Sequence, residues 1–169
     1  MLYAAYGSNL HPLRLSLRLP TARFAGTAKF GGNRLCFHKR SKDRSGKCNI
    51  ASGNDSVHLA IYELNGEEKA KLDQIEGVGV GYSVEKIEVP DFGECFTYVA
   101  TASFIDDDLR PYSWYKELVL AGCESLMLPN DYIRAIQEIA AIVDPDQARH
   151  ADNMKIVEQA RKSAYPVSV

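Results

Sequence analysis

The residues best suited to chemistry lie in two short stretches. The first is Tyr3-Ala4-Ala5-Tyr6-Gly7-Ser8-Asn9-Leu10, an apolar, aromatic run that breaks at Gly-Ser-Asn. Gly7 accepts backbone angles closed to other residues and lets a ligand approach the main chain. Ser8 and Asn9 favour turns and helix N-caps because their side chains bond nearby amides. A strand ending in such a turn presents free N–H groups at one point. That is a cradle for a carboxylate, or for an oxygen that gains charge during a reaction. Residue types alone leave an ordinary turn open as the alternative. The second stretch centres on Glu76, preceded by Leu72 and Ile75 and followed by Gly77-Val78. Partial desolvation among such neighbours suits a carboxyl group to proton transfer near neutral pH. A solvent-facing glutamate near a helix end is the alternative there.

Other chemistries find little support. The alternating glycines Gly77, Gly79 and Gly81 match neither a dinucleotide fingerprint nor a phosphate-binding P-loop, and they follow a helical stretch rather than opening one. Ser8 lacks the Gly-x-Ser-x-Gly setting of an esterase nucleophile. His11, His38, His58 and His150 are scattered, with no metal-ligand spacing. The acidic run Asp106-Asp107-Asp108 lacks calcium-loop spacing and reads as a solvated loop. Cys36, Cys48, Cys95 and Cys123 are widely spaced, as buried or free thiols rather than a disulfide framework, so the expected compartment is cytoplasmic.

The elements that must position these residues follow from pattern. Residues 2–6 read as a strand and 11–19 as a helix with Pro12 in its first turn. Residues 21–30 and 33–38 read as strands joined at Gly31-Gly32, a hairpin signal. Residues 39–47 form a basic loop. No aromatic residue interleaves its charges, so it reads as solvated, with a role in covering a pocket for an acidic small molecule left open. Residues 49–51 and 57–64 read as strands. Asn65 is placed to cap a helix reaching about residue 75, with Glu67 and Glu68 in its first turn. Residues 82–89 and 95–104 are expected strands around a turn at Asp91-Phe92-Gly93. Helices are expected over 114–125, 130–142 and 144–164. Strands first and helices last argue for α+β with a mixed or largely antiparallel sheet.

The 169 residues suit a single domain with a real core. Hydrophobic residues make up 46% and charged residues 25%, near the average for globular domains. A net charge of −2 supplies no basic field for nucleic acid. No apolar run approaches the roughly 20 residues of a membrane helix, and no secretory leader is expected. Oligomeric state is not readable; monomer and homodimer both stand.

Taken together, Tyr3-x-x-Tyr6-Gly7-Ser8-Asn9-Leu10 and Leu72-Asp73-x-x-Glu76-Gly77-Val78-x-x-Gly81-Tyr82 resemble the γ-glutamylcyclotransferase-like family, which includes AIG2-like and γ-glutamylamine cyclotransferase proteins. The resemblance extends through Tyr115 and Gly122 to the Leu-Pro-x-x-Tyr pattern ending at Tyr132, and so to about residue 142. The last expected helix lies outside it. The resemblance implies a mixed, barrel-like sheet with flanking helices. It implies conversion of a γ-glutamyl amide into 5-oxoproline and a free amine, without metal or organic cofactor. It assigns Glu76 as acid/base, and Tyr6, Gly7, Ser8, Asn9, Leu10, Tyr82, Tyr115 and Tyr132 to substrate binding. The partner is a small molecule. A different γ-glutamyl conjugate, such as γ-glutamyl-ε-lysine or a biosynthetic intermediate, and a non-catalytic binding module are the alternatives.

Overall fold

The computed structural model describes residues 1–163. The chain runs through β1 (Leu2–Ala5), α1 (Pro12–Ser16), β2 (Arg23–Arg40), β3 (Gly46–Glu63), α2 (Gly66–Glu76), β4 (Tyr82–Val89), β5 (Gly93–Ala100), α3 (Ser113–Ser125), α4 (Asn130–Gln137) and α5 (Gln147–Lys162). Single 3-10 turns occupy Ser8–Leu10 and Ala102–Phe104. The five strands form one sheet in the order β2-β3-β1-β5-β4. The central β1 pairs antiparallel with β3 and parallel with β5, so the sheet is mixed, as expected for the α+β class. Tyr3, Ala4 and Ala5 are buried in it, which explains why this short strand carries no polar residue.

Two sequence signals decide where Glu76 stands. Asn65 accepts from the Glu68 amide at 2.9 Å while Glu68 reaches back to the Asn65 amide at 3.1 Å, a complete capping box. At the other end Gly77 adopts the left-handed conformation, φ 73°, and closes the helix on the Asp73 carbonyl at 3.0 Å. Glu76 is thus the last residue of a helix fixed at both ends, one turn beyond Asp73 on the same face.

The structure corrects several expected elements. Gly31-Gly32 does not turn the chain. β2 runs straight through it, and the register against β3 shifts between Gly31 and Asn33, with Gly32 at φ 73°. A glycine pair serves a bulge as well as a hairpin, and bulges bend long strands. The turn lies instead at residues 41–45, closed by the Ser41 amide on the Ser45 carbonyl and with Arg44 at φ 66°. Residues 49–51 and 57–64 are likewise parts of the one strand β3. The basic segment is therefore a strand end on each side of a short turn, with Lys39 opposite Lys47 in register. Lys47 is no solvated residue: it pairs with Asp43 at 2.8 Å beneath the Tyr112, Trp114 and Tyr115 rings. α1 and α4 are shorter than expected, and the strand expected to reach residue 104 gives way to the second 3-10 turn. The expected helix end near Ala164 lies outside the described residues.

Beyond the reach of the resemblance, α5 packs on α3 and α1 of its own chain. His11 links it to the first loop: its Nδ1 accepts from the Leu13 amide at 3.1 Å and its Nε2–H therefore donates to the Ala160 carbonyl at 3.0 Å. Asp144 anchors the approach to α5. Its buried carboxylate accepts from Trp114 Nε1 at 2.8 Å, from Arg149 Nε at 2.7 Å and Nη2 at 2.6 Å, and from the Asp146 amide at 2.9 Å. The Arg149 guanidinium holds this carboxyl down at about 2. A depressed carboxyl adds stability above its unfolded value, about 3.9, and that stability is lost as pH falls toward the folded value. Melting temperature should therefore drop between about pH 4 and pH 2. Asp144→Asn should flatten that segment and cost about 2 kcal/mol near neutral pH. A variant melting curve that tracks the parent's across this range would refute the assignment.

Candidate active site

A small pocket opens where β1 ends, lined by Tyr3, Tyr6, Gly7, Ser8, Asn9, Cys48, Glu76, Tyr82, Tyr98 and Tyr115. Gly7 occupies the tightest point. A Cβ there would meet Cys48 Cβ at 3.1 Å and the Tyr115 hydroxyl at 3.2 Å, so glycine lets the loop lie flush against β3 and α3. The following 3-10 turn buries Asn9 and Leu10. The first amides of such a turn have no acceptor within it and are free for a ligand.

Glu76 meets this loop directly. Its Oε1 accepts from Asn9 Nδ2 at 3.1 Å and from Arg18 Nη1 at 2.9 Å. Arg18 Nη1 also reaches Asn9 Oδ1 at 2.9 Å, closing a ring of three side chains. Asn9 Nδ2 further donates to the Tyr3 hydroxyl at 3.2 Å. These bonds fix the Asn9 amide: nitrogen toward the carboxylate, oxygen toward the guanidinium. Among the described residues both hydrogen bonds to the carboxylate fall on Oε1, which leaves Oε2 open to a ligand. Glu76 and Arg18 keep 19% and 21% of their side-chain exposure, enough for a small molecule to reach the carboxylate.

The apolar setting expected for Glu76 is corrected here. Its sequence neighbours are apolar, but its contacts are polar and come from residues 67 and 58 positions away. Arg14, one helical turn before Arg18, adds a second positive charge beside it. Its Nε is buried without a hydrogen-bond partner among the described residues, and burial together with Arg18 pulls its proton affinity down.

Tyrosines make the rest of the wall. Burial pushes the Tyr3, Tyr6, Tyr82 and Tyr115 hydroxyls up from their usual range, and the Glu76 charge acts in the same direction on each. They are neutral near pH 7 and can only donate or accept. Tyr6 donates to the Tyr98 carbonyl, and Tyr82 to the Cys48 carbonyl at 2.7 Å. Tyr115 accepts from the Cys48 amide at 3.1 Å. Tyr98 donates to Asp73 Oδ1 at 2.7 Å, tying β5 to α2 below Glu76.

The structure thus brings together Tyr6, Gly7, Ser8, Asn9, Glu76, Tyr82 and Tyr115. Leu10 and Tyr132 stand apart. Leu10 is fully buried beneath the loop, and its amide is already bonded to the Gly7 carbonyl at 2.9 Å. Tyr132 lies in a separate depression with its ring 4.7 Å from that of His58. Arg18, Cys48 and Tyr98 escaped the sequence reading. For Arg18 the available signal was its place within the helical spacing of residues 11–19, one turn after Arg14. Among the described residues no group of three or more His, Cys, Asp or Glu could hold a metal.

Comparison with known proteins places this arrangement. The AIG2-like family model matches residues 56–136. γ-Glutamylcyclotransferase of Homo sapiens is 30% identical over 149 residues, covering 82% of this chain and 78% of its own. The Mus musculus protein of the same name is 29% identical over 157 residues, covering 86% and 80%. A solved γ-glutamyl cyclotransferase structure superposes with a TM-score of 0.80 at 26% identity, over 94% of this chain and 98% of that one. The chain belongs to the γ-glutamylcyclotransferase family of enzymes.

Proposed function

We propose that the enzyme releases an amine from a γ-glutamyl amide by cyclising the glutamyl group to 5-oxoproline, residues 1–169 acting as one domain. The observation that carries this reading is the Glu76 carboxylate held by Asn9 of the Tyr-Gly-Ser-Asn loop, at the wall of a pocket lined by that loop. Nucleophile and electrophile belong to one molecule. The substrate's α-amine attacks its own γ-carbonyl, the five-membered ring closes, and the amide C–N bond breaks. Holding the bent conformer supplies much of the rate, since well-oriented intramolecular reactions reach effective molarities of roughly 10⁵ M and above.

Two protons must move. The attacking amine loses one and the departing nitrogen gains one. A carboxylate with one oxygen fixed and the other open can take the first and deliver the second, and Glu76 has that form. Arg18 and Asn9 hold the carboxylate in place. The amides at Gly7, Ser8 and Asn9 would receive the glutamyl α-carboxylate or the oxyanion formed on the γ-carbonyl. Arg18, bonded to Glu76 and Asn9, and Arg14 add positive charge around the Glu76 carboxylate. The side chains of Tyr6, Tyr82 and Tyr115 complete the lining of the pocket. Leu10 supports the loop from below, and Tyr132 has no part in this step.

Incubation with γ-glutamyl-alanine should yield equal amounts of 5-oxoproline and alanine, followed by mass spectrometry. A panel that includes γ-glutamyl-ε-lysine and γ-glutamyl amines tests the other conjugates. Binding of the panel without release of 5-oxoproline would favour a non-catalytic module and overturn the proposal.

A further inference from the structure

Five tyrosines line the pocket, and each hydroxyl has one proton to donate. Three of those protons are spent on the protein. Tyr6 donates to the Tyr98 carbonyl, Tyr82 to the Cys48 carbonyl at 2.7 Å, and Tyr98 to Asp73 Oδ1 at 2.7 Å. Tyr115 accepts from the Cys48 amide at 3.1 Å and has the Cys48 thiol beside it as a weak acceptor. Tyr3 differs from all four. Its one hydrogen bond among the described residues is received, from Asn9 Nδ2 at 3.2 Å.

The Tyr3 proton is therefore left without an acceptor among the described residues. The ring is held in place: it is 5% exposed and packs against Phe96 and Tyr98, with ring centroids 5.3 and 5.6 Å away. A buried hydroxyl with an unspent proton is costly unless a ligand accepts it, and this one lines a cavity. Asn9 fixes which ligand atom it meets. The same Nδ2 also donates to Glu76 Oε1 at 3.1 Å, so hydroxyl and carboxylate stand side by side on one amide group. When the α-amine adds to the γ-carbonyl, the attacking nitrogen and the oxygen that gains charge are bonded to one carbon. Groups that serve those two atoms must themselves be neighbours, and Glu76 serves the nitrogen.

We infer that Tyr3 is a further catalytic residue, whose hydroxyl donates a hydrogen bond to the γ-carbonyl oxygen of the substrate as that oxygen becomes an oxyanion. The inference rests on the cyclotransferase reading above. A bond to the charged oxygen is stronger than one to the neutral carbonyl, so it lowers the barrier rather than only tightening binding. Tyr3 keeps its proton throughout, and both proton transfers stay with Glu76. Burial and the Glu76 charge favour the neutral phenol, so the donor is present near pH 7. With the oxyanion served by Tyr3, the amides of Gly7, Ser8 and Asn9 are left for the α-carboxylate.

Tyr3→Phe tests this with γ-glutamyl-alanine. kcat should fall roughly 10²-fold, the usual cost of removing one oxyanion donor, with KM within about threefold of wild type. A raised KM at unchanged kcat would put Tyr3 on the α-carboxylate and overturn the assignment, and so would turnover within about threefold of wild type. A fall in kcat would also follow if Tyr3 only held Asn9 in place, so a second variant carries 3-fluorotyrosine at position 3. Fluorine makes the phenol a stronger donor and a weaker acceptor, so the two roles move in opposite directions. Donation to the oxyanion predicts kcat at or above the wild-type value. A lower kcat would reduce Tyr3 to a support for Asn9 and overturn the assignment. The fluorinated variant keeps the hydroxyl, and so gives the same reading should Tyr3→Phe fail to fold. Failure of wild-type enzyme to form 5-oxoproline overturns the cyclotransferase reading itself, and this assignment with it.

Discussion

Glutamine in place of Glu76 is expected to lower kcat/KM for γ-glutamyl-alanine by roughly 10³-fold, with the fold retained. The size follows from the two jobs proposed for one group. The amide neither takes a proton from the attacking amine nor gives one to the departing nitrogen, so both transfers fall to water. The shape of the site should survive. A glutamine oxygen at the Oε1 position still accepts from Arg18 and Asn9, the two partners seen at 2.9 and 3.1 Å. What is lost in stability is the charge of a part-exposed ion pair, worth about 1 kcal/mol or less. For a chain of this size that is a shift of roughly 2–4 °C in melting temperature. Steady-state kinetics with 5-oxoproline as readout and a thermal melt on the same preparation separate the outcomes. Turnover within a few-fold of wild type would remove Glu76 from the acid/base role. A collapsed melt would show that the substitution acts through folding.

The position of that carboxylate was readable because it depends on local rules. Asn65 and Glu68 form a capping box within four residues, and Gly77 ends the helix within one turn of Glu76. The same holds for β4, which starts and stops where its alternation does. The surroundings of the carboxylate were not readable. Arg18 and Asn9 reach it across 58 and 67 residues, and no local pattern distinguishes an arginine that pairs from one that faces water. Gly31-Gly32 misled for a related reason. Glycine's freedom permits a hairpin and a bulge alike, and the choice belongs to the strand opposite, which here runs unbroken from Gly46 to Glu63. Lys39 and Lys47 repeat the lesson with charge. Both fall in a basic run that reads as solvated, yet the pairing of β2 with β3 turns one toward Asp43 and the other onto Tyr82. Tyr132 belongs to the Leu-Pro-x-x-Tyr pattern of the resemblance, but α4 carries it into a separate depression beside His58, apart from the pocket that Glu76 lines.

Alanine at Gly122 is expected to be destabilising and to cost roughly 10²-fold in activity, although helix propensity alone argues the other way. Gly122 lies inside α3, where replacing glycine with alanine ordinarily adds up to about 1 kcal/mol. Here α3 closes on the loop that bears Ser8 and Asn9. A Cβ at 122 would stand 2.7 Å from Leu10 Cβ and 3.0 Å from the His11 backbone nitrogen. Neither neighbour can give way. Leu10 is fully buried and its carbonyl is held by the Tyr62 hydroxyl at 2.7 Å; His11 is tied to Leu13 on one side and to Ala160 on the other. The strain must move the loop or the helix, and overpacking of this kind costs about 1–3 kcal/mol, more than the propensity gain. Activity suffers because Asn9 directly precedes the residue that is pushed. A shift of about 1 Å at reacting groups is enough for a 10²-fold loss. Gly66→Ala provides the control. It is also a helical glycine, but a Cβ there meets nothing within 4 Å, so that variant should be at least as stable as wild type and equally active. If Gly122→Ala melts and turns over like Gly66→Ala, the close approach of α3 does not set the geometry of the loop. If it melts lower and loses activity while Gly66→Ala does neither, a glycine outside the pocket holds the Asn9 amide against the Glu76 carboxylate.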